Sequence, residues 1–417
     1  MSLNGKTAQY IPEQLLAAVF FLYMAWYREI WGNNVIVLYG SVALLTGCVL
    51  IRIILDKFLY IKAMPLLLKM FVVYFFYSFL GVFVAKNVEV LLSSVITFGC
   101  FVVVCFDCWY VSSKLRSNKW IFNILKLVSL ICACQVIFAG KPYNNGVIVT
   151  TMSSTNNPNV LGLILVFGIL SFAINMNFTK TSQFFITAIA DGAMLYGIVL
   201  TGSRKCLLVS VPIILYWLYS YTKTMIKEHK RKQLVAIALV VAILAIGVRY
   251  AGQAFQGTAA FERLTLLFQD GGTDARTELY RDAVEYFMAS PIIGIGFGQY
   301  RLWSPFGYYS HSSYAEILSC GGIIGVLIFF VPIFVCLCSC LKQLRKKQPL
   351  EQSYRMKMAT LMLFCELFLG LGQIFIYDVF HLLLLTLISI EIKQKRWSGV
   401  QNDSKRAWAK PRVTTVL

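Results

Sequence analysis

Ser312–Leu341 reads SSYAEILSCGGIIGVLIFFVPIFVCLCSCL, thirty residues with one charge, Glu316. About 20 apolar residues cross the hydrocarbon of a bilayer as a helix. In that medium every backbone N–H and C=O must find an internal partner, which a helix supplies. The stretch therefore predicts a membrane span, and the chain repeats its pattern on both sides. Comparable runs lie near 11–27, 33–55, 65–85, 88–111, 120–139, 159–176, 183–200, 206–222, 233–251, 356–375 and 377–392. The last two form a hairpin with its tip at about Gln373 to Asp378. With the quoted run, about twelve transmembrane helices are expected in an all-α polytopic membrane protein.

The composition agrees. Over 417 residues, 58% are hydrophobic and 14% charged, whereas soluble domains are nearer half apolar and a quarter charged. Met1 to Tyr10 is polar, and no small-residue cleavage site follows the first apolar run, so that run is expected to stay in place.

The net charge of +19 raises the question of nucleic acid, and the distribution of charge answers it. With twelve spans both termini share a side, and 28 of the 38 basic residues fall on it. By the positive-inside rule that side is the cytoplasm. The bias accounts for most of the charge without a nucleic-acid partner. Residues 1–397 then form a single transmembrane domain, with an external loop at about 252–311 between the ninth and tenth helices. Residues 398–417 form a basic cytoplasmic tail.

The exceptions to the bias carry information. Outside, basic residues gather at Arg204–Lys205 and between Arg249 and Arg301, a segment with five arginines and no lysine. A guanidinium grips phosphate through a planar, bidentate fork. Ordinary ion pairing is the competing reading, because Glu262, Asp270, Asp274, Glu278, Asp282 and Glu285 lie in the same segment. Gly271-Gly272-Thr273-Asp274 reads as a turn and helix cap, and Asp274 to Ala289 as an amphipathic helix. Its apolar face is Leu279, Ala283, Tyr286 and Phe287, and its polar face Glu278, Arg281, Asp282 and Glu285. Such a helix is expected to lie on the membrane face and cover the bundle.

Gly294-x-Gly296-x-Gly298 looks like a dinucleotide fingerprint, but no strand precedes it and the third spacing fails. A turn, or close backbone approach, explains the glycines better. Ser313-x-x-Glu316 has capping-box spacing, which gives Glu316 a structural role beside a catalytic one. His311 then lies two residues before the cap, near the positive end of a helix dipole. That field disfavours imidazolium and leaves the form a general base needs. The competing reading is an interfacial histidine held by hydrogen bonds. His229 and His381 read as solvation or packing.

Asp107, Asp191 and Glu366 fall within apolar runs, where acids line cavities or relays, and Asp107 is placed to reach Lys114. The twelve cysteines lie in or beside apolar runs and read as small buried hydrophobes, not as disulfides or metal ligands.

Taken in order, these residues resemble the O-antigen ligase and polymerase superfamily of bacterial surface-polysaccharide enzymes, over roughly Asn156 to Gly325. Asn157-Pro158-Asn159-x-x-Gly162 is similar to the family's NPN motif, and Thr201-Gly202-Ser203-Arg204 to its G-S-R turn. Arg204–Leu208 and Arg263–Leu267 both read R-x-x-x-L. Arg276 through Pro291 to Gly298 resembles the R…P-x-x-G-x-G-x-G block. His311-x-Ser313 with Gly322 resembles H-x-S-x-L-x6-G, Ala315 standing where leucine is usual.

The resemblance implies a glycosyltransferase with an undecaprenyl-diphosphate-linked glycan as donor and another lipid-linked repeat unit as acceptor. It acts in the cell membrane with its site facing outside. In that scheme His311, Arg204, Arg263 and Glu316 are the catalytic candidates. Arg276, Arg281, Asn159, Ser203 and Ser313 are the substrate-binding ones. Arginines neutralise the diphosphate leaving group and His311 takes the acceptor proton, in an inverting displacement that needs no cofactor or metal. Membrane lipids, a flippase and a chain-length regulator are the expected partners. A repeat-unit polymerase is favoured, since no acceptor-recognition domain is attached. A ligase moving finished glycan to a different acceptor is the alternative. A flippase for the same lipids is the reading from another class, supported by Asp191 and Glu366.

Overall fold

A computed structural model describes residues 9–27, 35–56, 64–143, 147–150, 158–178, 180–229, 235 and 275–392. The expected ninth helix at 233–251, Arg263 with its R-x-x-x-L, the turn before Asp274 and the tail at 398–417 lie outside these residues.

The described helices are α1 (Ile11–Leu22), α2 (Val35–Leu55), α3 (Leu66–Ser78), α4 (Val88–Leu115), α5 (Lys119–Ala139), α6 (Pro158–Ile174), α7 (Thr181–Thr201) and α8 (Arg204–Lys227). After them come α9 (Ala275–Ala289), α10 (Ser313–Leu344), α11 (Leu350–Leu369) and α12 (Val379–Ile392). A hairpin of four-residue strands, Gly140–Tyr143 paired antiparallel with Val147–Thr150, links α5 to the segment before α6. The sequence reading had no strand there.

Among the described residues, seven helices are long and apolar enough to cross a membrane, and three apolar helices are shorter. α11 has the length, at 20 residues, but carries Glu351, Arg355, Lys357 and Glu366. The protein is a helical membrane protein.

Lipid tails are as apolar as leucine, so membrane helices associate through packing and polar ties. The centre of this bundle is set by α6 and α12. From Leu161 to Ile174 and from Val379 to Glu391 every side chain is buried. A helix that is apolar all round belongs inside. α6 packs on α5, α7 and α8, while α10 packs on α3, α9 and α11.

The acids within apolar runs have structural partners. Thr46 Oγ1 donates to Asp107 at 2.8 Å, while Lys114 pairs with Asp56 instead. Trp217 Nε1 donates to Asp191 at 2.7 Å. Glu366 meets His381 Nδ1 at 2.6 Å, both fully buried. A paired charge at depth serves packing between helices, which removes the ground on which Asp191 and Glu366 suggested transport. Eight of the twelve cysteines are buried, whereas Cys134 and Cys338 are exposed.

Candidate functional site

The site grows from a break in α10. At Gly322 the backbone leaves the helical region, with φ 58° and ψ −165°. The groups this frees are met by the segment Pro291–Gly298. Ile295 N–H donates to Ser319 O (2.9 Å) and Gly296 N–H to Cys320 O (3.1 Å). Beyond the break, Ile323 N–H donates to Pro291 O (2.9 Å) and Ile324 N–H to Ile292 O (3.3 Å). Non-helical backbone at membrane depth is tolerated where protein re-satisfies it. The close approach demands glycine on both sides. A Cβ at Gly294 would sit 2.4 Å from the Cys320 carbonyl carbon, and one at Gly322 would sit 2.5 Å from Ile292 O. The glycine cluster therefore splices a broken helix, and the nucleotide reading has no place in it.

α9 covers this splice. Leu279 and Ala283 bury against Ile295, Tyr300 and Cys320, and Tyr300 Oη donates to Leu279 O. Helix and apolar face match the sequence reading, with one correction. Asp282, assigned to the polar face, is buried at 8% exposure, while Glu278, Arg281 and Glu285 are exposed.

The N-terminal end of α10 also corrects the capping box. The N-cap is Ser312, whose Oγ accepts from Ala315 N–H at 3.5 Å. Ser313 is inside the helix, and Glu316 falls one residue past the capping-box position. Glu316 Oε2 accepts from Ser310 N–H (2.9 Å) and Oε1 from Tyr377 Oη (2.9 Å). The carboxylate thus holds the loop before the cap, and it is fully buried. The Tyr377 ring packs edge-on against Phe297 and tilted against Tyr309, at centroid distances of 5.5 and 4.9 Å. Desolvation there, then the Glu316 carboxylate, push its phenol well above the usual range, so the hydroxyl stays a donor.

His311 directly precedes the N-cap. Its φ is +56°, a left-handed conformation that costs an L-residue roughly 1–2 kcal/mol. Ser310, Ser312 and Ser313 around it are buried, while His311 is exposed. Such strain persists only where its surroundings enforce it, and it clusters at functional sites. Here Glu316 and Ser310 enforce it.

The loop Gly370–Asp378 between α11 and α12 joins the remaining motifs. Ser313 N–H donates to Gly370 O (2.8 Å). Ser313 Oγ donates to Gln373 O (2.7 Å) and accepts from Phe375 N–H (2.9 Å). Gln373 Nε2 then donates to Asn159 O (3.0 Å), and Ser203 Oγ donates to Asn159 Oδ1 (3.0 Å). Lys205 lies over Gly372, and Tyr280 Oη of α9 donates to Leu371 O (2.9 Å). Asn159, Ser203 and Ser313, far apart in sequence, thus share one network, and the half-buried Arg204 opens α8 beside it. Arg276 is half-buried and Arg281 exposed on α9. Sequence reasoning missed Ser310, Gln373 and Tyr377. The two on the hairpin tip are revealed only by their contacts, Gln373 with Asn159 and Ser313 and Tyr377 with Glu316.

A broken, glycine-spliced helix thus carries a strained, exposed histidine at its N-terminal end, and the network of Asn159, Ser203 and Ser313 ties that end to the start of α8. Residues 189–330, about a third of the chain, match the family model described as O-Antigen ligase, which supports the resemblance to the O-antigen ligase and polymerase superfamily. A search of curated proteins found no match. The matched region holds the α7–α8 turn with Arg204, α9, the glycine splice and His311.

Proposed function

We propose that this protein is a glycosyltransferase that polymerises polysaccharide repeat units. It displaces undecaprenyl diphosphate from a lipid-linked glycan with a hydroxyl of a second lipid-linked repeat unit. Members of the matched family are glycosyltransferase-like enzymes. The observation that carries the reading is His311, exposed on left-handed backbone between buried serines whose loop the Glu316 carboxylate holds.

In this mechanism His311 takes the acceptor proton as the oxygen attacks the anomeric carbon, with inversion. Arg204, with Arg263, Arg276 and Arg281, meets the charge that develops on the departing diphosphate. Glu316 positions His311 and touches no substrate. Asn159, Ser203 and Ser313 hold the hairpin tip beside the donor. The charge bias supports twelve spans over residues 1–397 in the cell membrane, with cytoplasmic termini, the basic tail inside and the site outside. Membrane lipids surround it, and a flippase and chain-length regulator are its functional neighbours.

Transfer to a different acceptor is the second reading, favoured by the description of the matched model as a ligase. Purified protein given one defined lipid-linked repeat unit separates the two: elongation marks a polymerase, and transfer only on adding a second acceptor marks a ligase. In the same assay His311→Ala should lower turnover by about 10²–10⁴, the usual contribution of a positioned base. Full activity in that variant sinks the assignment. Arg204→Lys should also slow transfer, and wild-type rates there would reduce Arg204 to a general positive charge.

A further inference from the structure

Seven carboxylates are buried among the described residues, and six have partners. Glu13 meets Arg52, Asp107 meets Thr46, Asp191 meets Trp217, Glu366 meets His381, and Glu391 meets Arg355 and Asn118. Glu316 meets Ser310 and Tyr377. Asp282 on α9 is the seventh. No hydrogen bond reaches either of its oxygens from any described side chain or backbone group, whereas Glu13, Asp107, Asp191 and Glu366 each leave one buried oxygen bare and bond the other. An unpaired buried polar atom costs about 1–3 kcal/mol, and groups left so in a folded protein call for an explanation.

The surroundings suggest one. Tyr286 lies one helical turn beyond Asp282 on α9 and so on the same face, and burial, then the Asp282 charge, raise the phenol pKa of both Tyr286 and Tyr300. Tyr286 packs against Tyr300 at 5.4 Å and against Trp303 at 5.6 Å. Trp303 is 38% exposed, and its loop runs on to His311. A carboxylate that lacks a donor, beside an aromatic ledge open at Trp303, is matched by a ligand with several hydroxyls and an apolar face. A sugar ring has both. Recognition sites commonly combine aromatic walls with a few placed polar groups.

Resting on the transferase reading, we infer that Asp282, Tyr286 and Trp303 form a subsite for the acceptor glycan, in which Asp282 accepts a hydrogen bond from a sugar hydroxyl. Ligand binding at the exposed edge of Asp282 then gives a partner to a carboxylate that has none among the described residues. This separates the subsite from a structural role, because removing an unpaired buried acid relieves the fold whereas removing a paired one damages it.

The test uses the full-length protein in detergent and, as probe, the host's own repeat-unit oligosaccharide released from its lipid carrier. Binding is measured by titration calorimetry without donor, and stability by thermal melting. Asp282→Ala and Trp303→Ala should each weaken binding 10-fold or more. Asp282→Ala should melt no lower than wild type, and Asp282→Asn, which keeps an acceptor oxygen, should recover part of the affinity. Unchanged binding in Asp282→Ala overturns the subsite, as does a loss that accompanies a lower melting temperature, and as does a wild-type protein that does not bind the oligosaccharide. Wild-type binding without transfer from a lipid-linked donor, with the Asp282→Ala defect present, would leave the subsite standing and sink the reaction. Transfer with an unchanged acceptor KM in Asp282→Ala would do the reverse.

Discussion

Glu316 and Asp282 stand on neighbouring helices at the same end of the bundle, and the charges of both act on Tyr300. Glu316 spends its carboxylate on Ser310 and Tyr377 and thereby fixes the backbone that carries His311. Asp282 spends its own on no described residue. Burial alone would call both structural. Hydrogen bonding divides them into a group that builds the site and a group that awaits something the site binds.

That division can be broken. The largest effect belongs to the splice beneath both acids. Gly322→Ala forces a Cβ against Ile292 O on left-handed backbone, and we expect loss of folded protein in size-exclusion chromatography. Gly325→Ala meets only ordinary contacts, the nearest at 3.4 Å, and should express normally. Glu316→Ala strands two buried donors at about 1–3 kcal/mol each. It should lower the melting temperature and abolish transfer together.

Tyr377→Phe removes one of the two bonds. We expect a loss of about 1 kcal/mol and roughly tenfold slower turnover with little change in KM, since the substrate does not touch Tyr377. Equal loss of KM would place Tyr377 on the substrate.

Asp282→Asn tests the other side of the comparison through pH. Burial, then Glu285 and Glu278 against Arg281, hold the Asp282 carboxyl above its usual range. The folded state therefore prefers the neutral acid. Stability is full below the unfolded pKa, about 4, and falls as pH rises through the folded value. The stability gain in Asp282→Asn should be largest at neutral pH and vanish near pH 4. A gain independent of pH would show that charge is not its origin. The smallest effect is expected at Leu327, exposed on α10 just past the Gly322 break, where Leu327→Ala should shift stability by no more than about 0.5 kcal/mol.

Much of the fold was legible because apolar length is a strong signal. α2, α4, α5, α7, α8 and α10 begin and end within a few residues of the apolar runs. The break at Gly322 was not legible. Two adjacent glycines in an apolar run read as a span, and only the carbonyls of Pro291 and Ile292 show why the helix opens there. His311 was visible as one of three histidines beside a helix start, but its left-handed backbone was not. The capping box misled by one residue, because Ser312 and Ser313 are equally good caps in sequence. Gly370 O settled the choice by taking the Ser313 N–H.

By itself, then, the sequence determined that this chain enters a membrane as many helices, that the segment from Arg249 to Arg301 carries arginines and no lysine, and that its motif order resembles one superfamily. Those properties depend on composition and spacing, which the bilayer reads directly. Only the tertiary structure decided which carboxylate is bonded and which is bare, that a hairpin tip at 370–378 ties Asn159 to Ser313, and that a glycine run splices a helix. Each of these rests on one hydrogen bond or one excluded Cβ between segments far apart in the chain, and sequence spacing carries no record of such distances.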